Sequence, residues 1–412
     1  MSVFFQQVGL LWQSIATVWS WAWWILLPVI AGIIFAELWE QHQRALFHQG
    51  ITWKVLELKV PQNILKTPKA MEQIFSAAFL EGDKHWMSFE MVGRAGESHF
   101  YLRLPSQFRN MMESAVYAQY PDAEITEVDD YIKQMPRVMP NQEFDLYGVE
   151  QGLAKDAWLP IKTYATFEDS VEERRIDSIA FLMESMTKLK GSEQIWIQLV
   201  VKPADEKWKK TADAAVNKLL GIEDKKKSSN PFAGFGLGIS AQDIITSPFR
   251  HPDEAAAVKK EEKPKEKNDH PGKKEQVDGI RQKISKHVFE ATVRAMYLDR
   301  REALGKDNLS SIAAFFRQFA TQNLNAFKPE PTRSTTGKIT GFFKKWQLAL
   351  RKRDFFAAYA HARPTAGAKC ILNTEELATV YHFPIGTVGT TELQKVGSRK
   401  GGPPATLPLM GE

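Results

Sequence analysis

Residues 87–108 read MSFEMVGRAGESHFYLRLPSQF, and this stretch decides the fold. Met87, Phe89 and Met91 alternate with Ser88 and Glu90, while Phe100, Leu102 and Leu104 alternate with Tyr101 and Arg103. Period-two alternation marks half-buried strands, and the Gly93–Gly96 interval between them is a turn, so the stretch predicts a β-hairpin. Ser106 then opens a helix with the apolar stripe Phe108, Met111, Met112, Ala115 and Val116. Upstream, Leu56, Leu58 and Val60 alternate with Glu57 and Lys59 in a further strand. Thr67-Pro68 opens a helix striped by Met71, Ile74, Phe75 and Ala78, with Pro at the first helical position. A last strand is expected around Glu124 to Val128. The order β-α-β-β-α-β is a ferredoxin-like unit over 50–135.

The rhythm returns over 150–330. A strand is expected across Trp158 to Tyr164, a helix from Asp177 with Ile179, Leu182, Met183 and Met186 inward, and a strand through Ile195, Ile197, Leu199 and Val201. A helix with Trp208, Ala212, Ala215 and Leu219 follows. Phe289, Ala291, Val293 and Ala295 make another strand, and Ile312, Phe315, Phe316 and Phe319 stripe a helix. Residues 221–278 interrupt this rhythm, rich in Lys, Glu, Pro, Gly and Ser around KKEEKPKEK. Such a composition cannot bury enough apolar surface to offset chain entropy, so a disordered insertion is expected. The fold class expected is therefore α+β, with two ferredoxin-like units, the second split by this charged insertion.

The chain begins differently. Residues 1–36 carry no charged side chain, and 18–35 read VWSWAWWILLPVIAGIIF. About 20 apolar residues suffice for a helix to cross a hydrocarbon core, so a single N-terminal transmembrane helix is expected at about 18–36, inside an anchor and juxtamembrane segment 1–49. Its lipid contacts would be Ile25, Leu26, Leu27, Val29, Ile30, Ile33, Ile34 and Phe35. Trp19, Trp21, Trp23, Trp24 and Trp39 would lie at the headgroup layers. Arg44 and Lys54 follow the span and no basic residue precedes it, which predicts a single-pass protein of the cell membrane, N-terminus outside and body cytoplasmic.

Composition excludes several classes of function. The 412 residues hold one cysteine, Cys370, so no internal disulfide or cysteine-rich metal site can form. Net charge is +5, mildly basic and compatible with nucleic acid or anionic lipid without requiring either. The nine histidines form no metal-ligand spacing. There is no nucleophile elbow, and Gly234, Gly236 and Gly238 fall in the insertion rather than between a strand and a helix. Asp129-Asp130 and Glu172-Glu173 read as surface charges. No cofactor, metal or catalytic residue is expected.

Two segments near the C-terminus carry interaction signals. Residues 341–353, GFFKKWQLALRKR, lie in a basic amphipathic helix expected over 338–361. Its Lys344, Lys345, Arg351, Lys352 and Arg353 suit nucleic acid or a lipid surface, and the bland alternative is a solvated face on a docked helix. Tyr101 and Trp196, on the sheet face opposite the helices, could stack on bases. Residues 370–384 read CILNTEELATVYHFP: Asn373 or Thr374 caps a short helix, Glu375 and Glu376 suit its positive end, Leu377 faces inward, His382 packs at its end and Pro384 stops it. A helix-and-loop extension is expected over 366–412.

The LNTEEL segment, with Asn373, Thr374, Glu375, Glu376, Leu377, His382 and Pro384, resembles one found in membrane-anchored, coupling-protein-like members of type IV secretion (conjugative DNA-transfer) systems. There it sits immediately before a P-loop ATPase domain. Ser88 to Phe108 and Ala118 to Tyr131 are similar to the N-terminal module of the same proteins. No G-x-x-x-x-G-K-[ST] loop exists here: Gly337-Lys338-Ile339-Thr340 lacks the upstream glycine at Thr332 and has Ile in place of the metal-binding hydroxyl. The resemblance therefore implies an accessory module without the ATPase, a non-catalytic body partnering an ATPase or secretion component and capable of self-association. The alternative expectation is a tethered nucleic-acid-binding protein.

Overall fold

The computed structural model describes residues 12–14, 17, 20, 24, 27–36, 38–39, 50–61, 66–80, 85–167, 177–205, 207–221, 271–337, 343–365 and 370–385. The chain divides into two compact units, one of 1–54 with 104–109, the other of 55–103 with 110–412.

The first unit corrects the expected anchor. Among the described residues, no helix is long and apolar enough to cross a membrane. The transmembrane element of the fold class, the membrane assignment and the single-pass localisation all fall with it. Trp19, Trp21, Trp23, Ile25 and Leu26 lie outside the described residues. Trp24, Leu27, Val29, Ile30, Ile33, Ile34, Phe35 and Trp39 are exposed, and Phe35 stacks on Trp39 with ring centroids 6.0 Å apart.

The second unit is built on one large antiparallel sheet. Its strands are β1 (Trp53–Lys59), β2 (Met87–Arg94), β3 (Glu97–Pro105), β4 (Glu124–Glu127), β5 (Phe144–Leu153), β6 (Gln194–Pro203), β7 (Val288–Arg300), β8 (Phe327–Pro329) and β9 (Ile371–Asn373). Spatial order is β4-β1-β3-β2-β6-β7-β5-β8, with β9 also paired to β7. Both halves place their strands in the order fourth, first, third, second. They meet edge to edge through β2 and β6, in a ladder from Met87 opposite Val201 to Arg94 opposite Gln194. A mixed α/β architecture with a single nine-stranded sheet thus replaces two separate units. Joining the halves leaves no exposed edge at β2 or β6, which is why both strands are buried almost throughout.

The β2–β3 turn is two residues long, with Ala95 at φ 50° and Gly96 at φ 84°. Two consecutive left-handed residues match the right-handed twist of the flanking strands. Glycine adopts this freely, whereas Ala95 does so at about 1–2 kcal/mol.

The α-helices of this unit are α1 (Pro68–Ala77), α2 (Arg109–Gln119), α3 (Ala180–Thr187), α4 (Lys207–Leu220), α5 (Pro271–Ile284), α6 (Asp307–Arg317), α7 (Lys344–Ala360) and α8 (Thr374–Val380). Met71, Ile74 and Phe75 of α1 and Leu182, Met183 and Met186 of α3 are buried, in keeping with their spacing. On this sheet face Phe75 and Tyr381 pack on Phe89, with centroids 4.6 and 5.4 Å apart. α4 and α5 share a smaller core of Leu159, Ala212, Val216, Val277 and Ile280.

The opposite face is covered too. Val92, Tyr101, Trp196, Met296, Leu298 and Leu146 form a core with Phe355, Phe356 and Tyr359 of α7. Tyr101 and Trp196, expected as base-stacking platforms, are buried there at 5% and 1% exposure.

Other differences are local. Residues 158–164 form no strand; the paired strand is β5, whose Gly148 and Gly152 dilute the apolar alternation. Gly148 has a packing reason: a Cβ there would overlap the Phe355 ring. α5 begins at Pro271, inside the stretch expected to be disordered, and 222–270 lie outside the described residues.

Candidate interaction surface

A row of polar side chains crosses the sheet under α7. Glu90 on β2 lies opposite Gln198 on β6, Gln198 opposite Arg294 on β7, and Arg294 opposite Glu150 on β5. All four are buried, so each needs partners to offset lost hydration. Glu90 accepts from Arg103 Nε at 3.3 Å, Gln198 Nε2 at 3.0 Å and the Tyr131 hydroxyl at 2.8 Å. Arg103 forks onto Asp130 at 2.6 and 2.9 Å. Burial would raise the Asp130 pKa, but Arg103 and the Ile132 N–H bring it below the ordinary value.

Arg294 ties this row to α7. Its Nε donates to Glu150 at 3.1 Å, Nη1 to Gln198 Oε1 at 3.0 Å, and Nη2 to the Arg363 carbonyl at 2.7 Å and Thr365 Oγ1 at 3.0 Å. Gln198 Nε2 also donates to the Tyr359 carbonyl at 3.0 Å. A cation and an amide at the carbonyl end of α7 satisfy the groups a helix C-terminus leaves open. The arrangement binds a helix to a sheet.

The LNTEEL segment is equally committed. Asn373 is the N-cap of α8: its side chain accepts from Glu376 N at 2.9 Å while Glu376 Oε2 accepts from Asn373 N at 2.8 Å, a capping box. Glu376 also pairs with Lys283 Nζ at 3.1 Å, both side chains fully buried, and accepts from Ile161 N at 2.8 Å. Burial raises the Glu376 pKa despite Lys283 and these donors. Glu375 and Glu72 share Lys286 Nζ at 2.7 Å each, and Thr374 Oγ1 donates to Glu72 at 3.3 Å. Leu377 is buried at 0%. His382 reaches the Ala378 carbonyl through Nδ1 at 2.8 Å and Asp177 through Nε2 at 2.9 Å. Both ring nitrogens are engaged, so the ring cross-links the end of α8 to Asp177. Burial would raise Asp177, but His382 and the N–H groups of Ile385 and Ile179 hold it below the ordinary carboxylate value. Pro384 is half-buried. The segment is a keystone of the fold rather than an exposed recognition motif.

The five basic residues expected to form one contact face separate. Lys352 is buried at 6%, pairs with Asp145 at 2.7 Å and lies over the Tyr147 ring at 4.8 Å. Arg351 is half-buried and donates to the Pro331 carbonyl at 3.3 Å. Arg353 lies beside Asp354 at 3.9 Å. Lys344 and Lys345 remain exposed in the first turn of α7, next to Phe343 at 70% and Trp346 at 63% exposure. The aromatic pair, not the basic row, is the unusual surface feature.

Among the described residues, no group of three or more His, Cys, Asp or Glu is placed to hold a metal. Burial pushes the Cys370 thiol up to about 12, so it stays protonated and unreactive near neutrality. A cleft lined by Glu57, Lys59, Ser98, His99, Phe383 and Pro384 encloses about 30 Å³, space for a water or two. Glu57 and His99 pair there at 2.8 Å, and that bond holds the Glu57 carboxyl below its ordinary value.

Residues 37–395 match the family described as "Domain of unknown function (DUF8128)", and the chain belongs to that family. No curated protein matches the sequence.

Proposed function

We propose that this member of a domain family of unknown function is a non-catalytic adaptor body that assembles with a P-loop ATPase of a type IV secretion-like or DNA-transfer apparatus. One observation carries the non-catalytic half: the buried acid, base and thiol groups described above are spent on architecture. Glu90, Glu150, Asp177, Glu376 and His382 each have their polar atoms taken by cross-links between helices, strands and loops. A general acid or base needs a free face toward a substrate, and in the surface cleft Glu57 and His99 are paired with each other. The resemblance of residues 88–108, 118–131 and 370–384 to an ATPase-proximal module supports the partner half.

Two measurements test the reading. The purified full-length chain, given ATP and Mg²⁺, should release no phosphate above background, and turnover lost with a point substitution would overturn the non-catalytic reading. Tagged full-length chain recovered from its native cells should bring an ATPase with it; recovery without an ATPase would overturn the adaptor reading.

A further inference from the structure

Helix α7 has two apolar stripes facing nearly opposite directions. Lys352, Phe355, Phe356 and Tyr359, spaced three and four apart, are buried against the sheet. Phe343, Trp346 and Leu350 lie at i, i+3 and i+7, one turn apart on a common face. At about 100° per residue, the two stripes are centred about 160° apart. The second stripe accordingly turns away from the body: Phe343 and Trp346 are 70% and 63% exposed, and Leu350 is half-buried.

We propose that Phe343, Trp346 and Leu350 anchor the chain in an apolar groove, rimmed with carboxylates, on a partner protein. The inference rests on the adaptor reading and names its contact surface. Three observations select this occupant. The anchor spacing is that of a helix laid into a groove, where successive turns fill successive pockets. The start of the helix is cationic: Lys344 and Lys345 are exposed beside Phe343 and Trp346, with no acid in the first turn. A second copy of the same helix would oppose these two lysines with two more, so self-pairing is disfavoured and a carboxylate rim is complementary. The anchor is also preorganised, because Arg294, Gln198 and Lys352 pin the C-terminal half of the same helix to the sheet. Little ordering entropy then remains to be lost on binding. Single-stranded nucleic acid would use the lysines and tryptophan but has no use for Leu350.

The test places a photo-crosslinking residue at position 346 of the full-length chain in its native cells, with exposed Lys188, the C-cap of α3, as a control site. The expected result is a crosslink from 346, absent from 188, to one protein that also co-purifies with the wild-type chain. Its crosslinked peptides should map to apolar residues flanked by Asp or Glu. Trp346→Ala should weaken binding of that protein, purified, by about thirtyfold or more, as for a buried aromatic hot spot, with the thermal midpoint unchanged. Retained affinity in Trp346→Ala overturns the assigned surface while leaving the adaptor reading intact. A crosslink to nucleic acid, lipid, a second copy or another segment of the same chain overturns it equally. Absence of any co-purifying protein overturns both.

Discussion

Two helices of this protein invert the usual distribution of residues. α8 carries Thr374, Glu375, Glu376 and Thr379, and is buried along its whole length. The first two turns of α7 carry Phe343 and Trp346, and stand in solvent. Polar residues are tolerated inside because the capping box, two lysines and a backbone N–H take up most of their polar atoms, Glu375 Oε1 being left without a hydrogen bond; apolar residues outside have no such compensation. The contrast separates architecture from interface: what is buried and polar holds the body together, and what is exposed and apolar is available to a second molecule.

The comparison can be broken most severely at Glu376. Glu376→Ala leaves Lys283 charged and fully buried, and should lower stability by about 3–5 kcal/mol in urea unfolding. The double variant Glu376→Leu with Lys283→Met removes both charges and should recover part of that loss. If it does not, the cap and packing dominate over the unpaired charge.

Acid supplies the next test. Asp177, Asp130 and Glu57 all have folded pKa values below the ordinary ones. Their stabilisation is present above the unfolded values, near 3.9 for Asp and 4.3 for Glu, and is lost as pH falls through the folded values. Glu376 is shifted upward, so its contribution has the opposite sign: fully present below about 4.3 and lost as pH rises through its folded value. The urea midpoint should therefore fall below about pH 4. Asp177→Asn should flatten that fall and lower stability at pH 7 by about 1.5–3 kcal/mol, the range for hydrogen bonds to a charged group.

Gly148→Ala probes the docked half of α7, since the new methyl would overlap Phe355. A loss of about 1–3 kcal/mol in thermal unfolding is expected, with hydrogen exchange rising in α7 before α8. Smallest of all, Trp346→Ala should move stability by no more than about 0.5 kcal/mol. A larger loss would show that the exposed stripe serves the fold.

Much of the sheet was legible in the residues. Strands β1, β2, β3, β6 and β7 and helices α1, α2, α3, α4 and α6 follow from apolar spacing, because the spaced apolar residues are the ones that pack against a neighbour; β4 is present where expected but buries no residue. β5 was not legible: Gly148 and Gly152 serve a ring and a bend rather than the alternation. The joining of the halves through β2 and β6 was also hidden, since edge-to-edge pairing is made by backbone groups that every residue shares. The function of α7 was obscured by its two stripes, which cancel when the helix is read as a single face. The apolar beginning misled because apolar length alone does not make a spanning helix. Buried Glu375 and Glu376 looked like a surface cap because their lysines lie some ninety positions earlier, at Lys283 and Lys286.

The bond between Thr374 and Glu72 joins residues 302 positions apart. A ribosome adding about 5–20 residues per second spends about 15–60 seconds between them. Throughout that interval the emerging chain holds Lys283 and Lys286, once made, without the carboxylates of α8. The last-made helix therefore closes the interior: a chain that stops short of α8 leaves Lys283 and Lys286 without the carboxylates of Glu376 and Glu375.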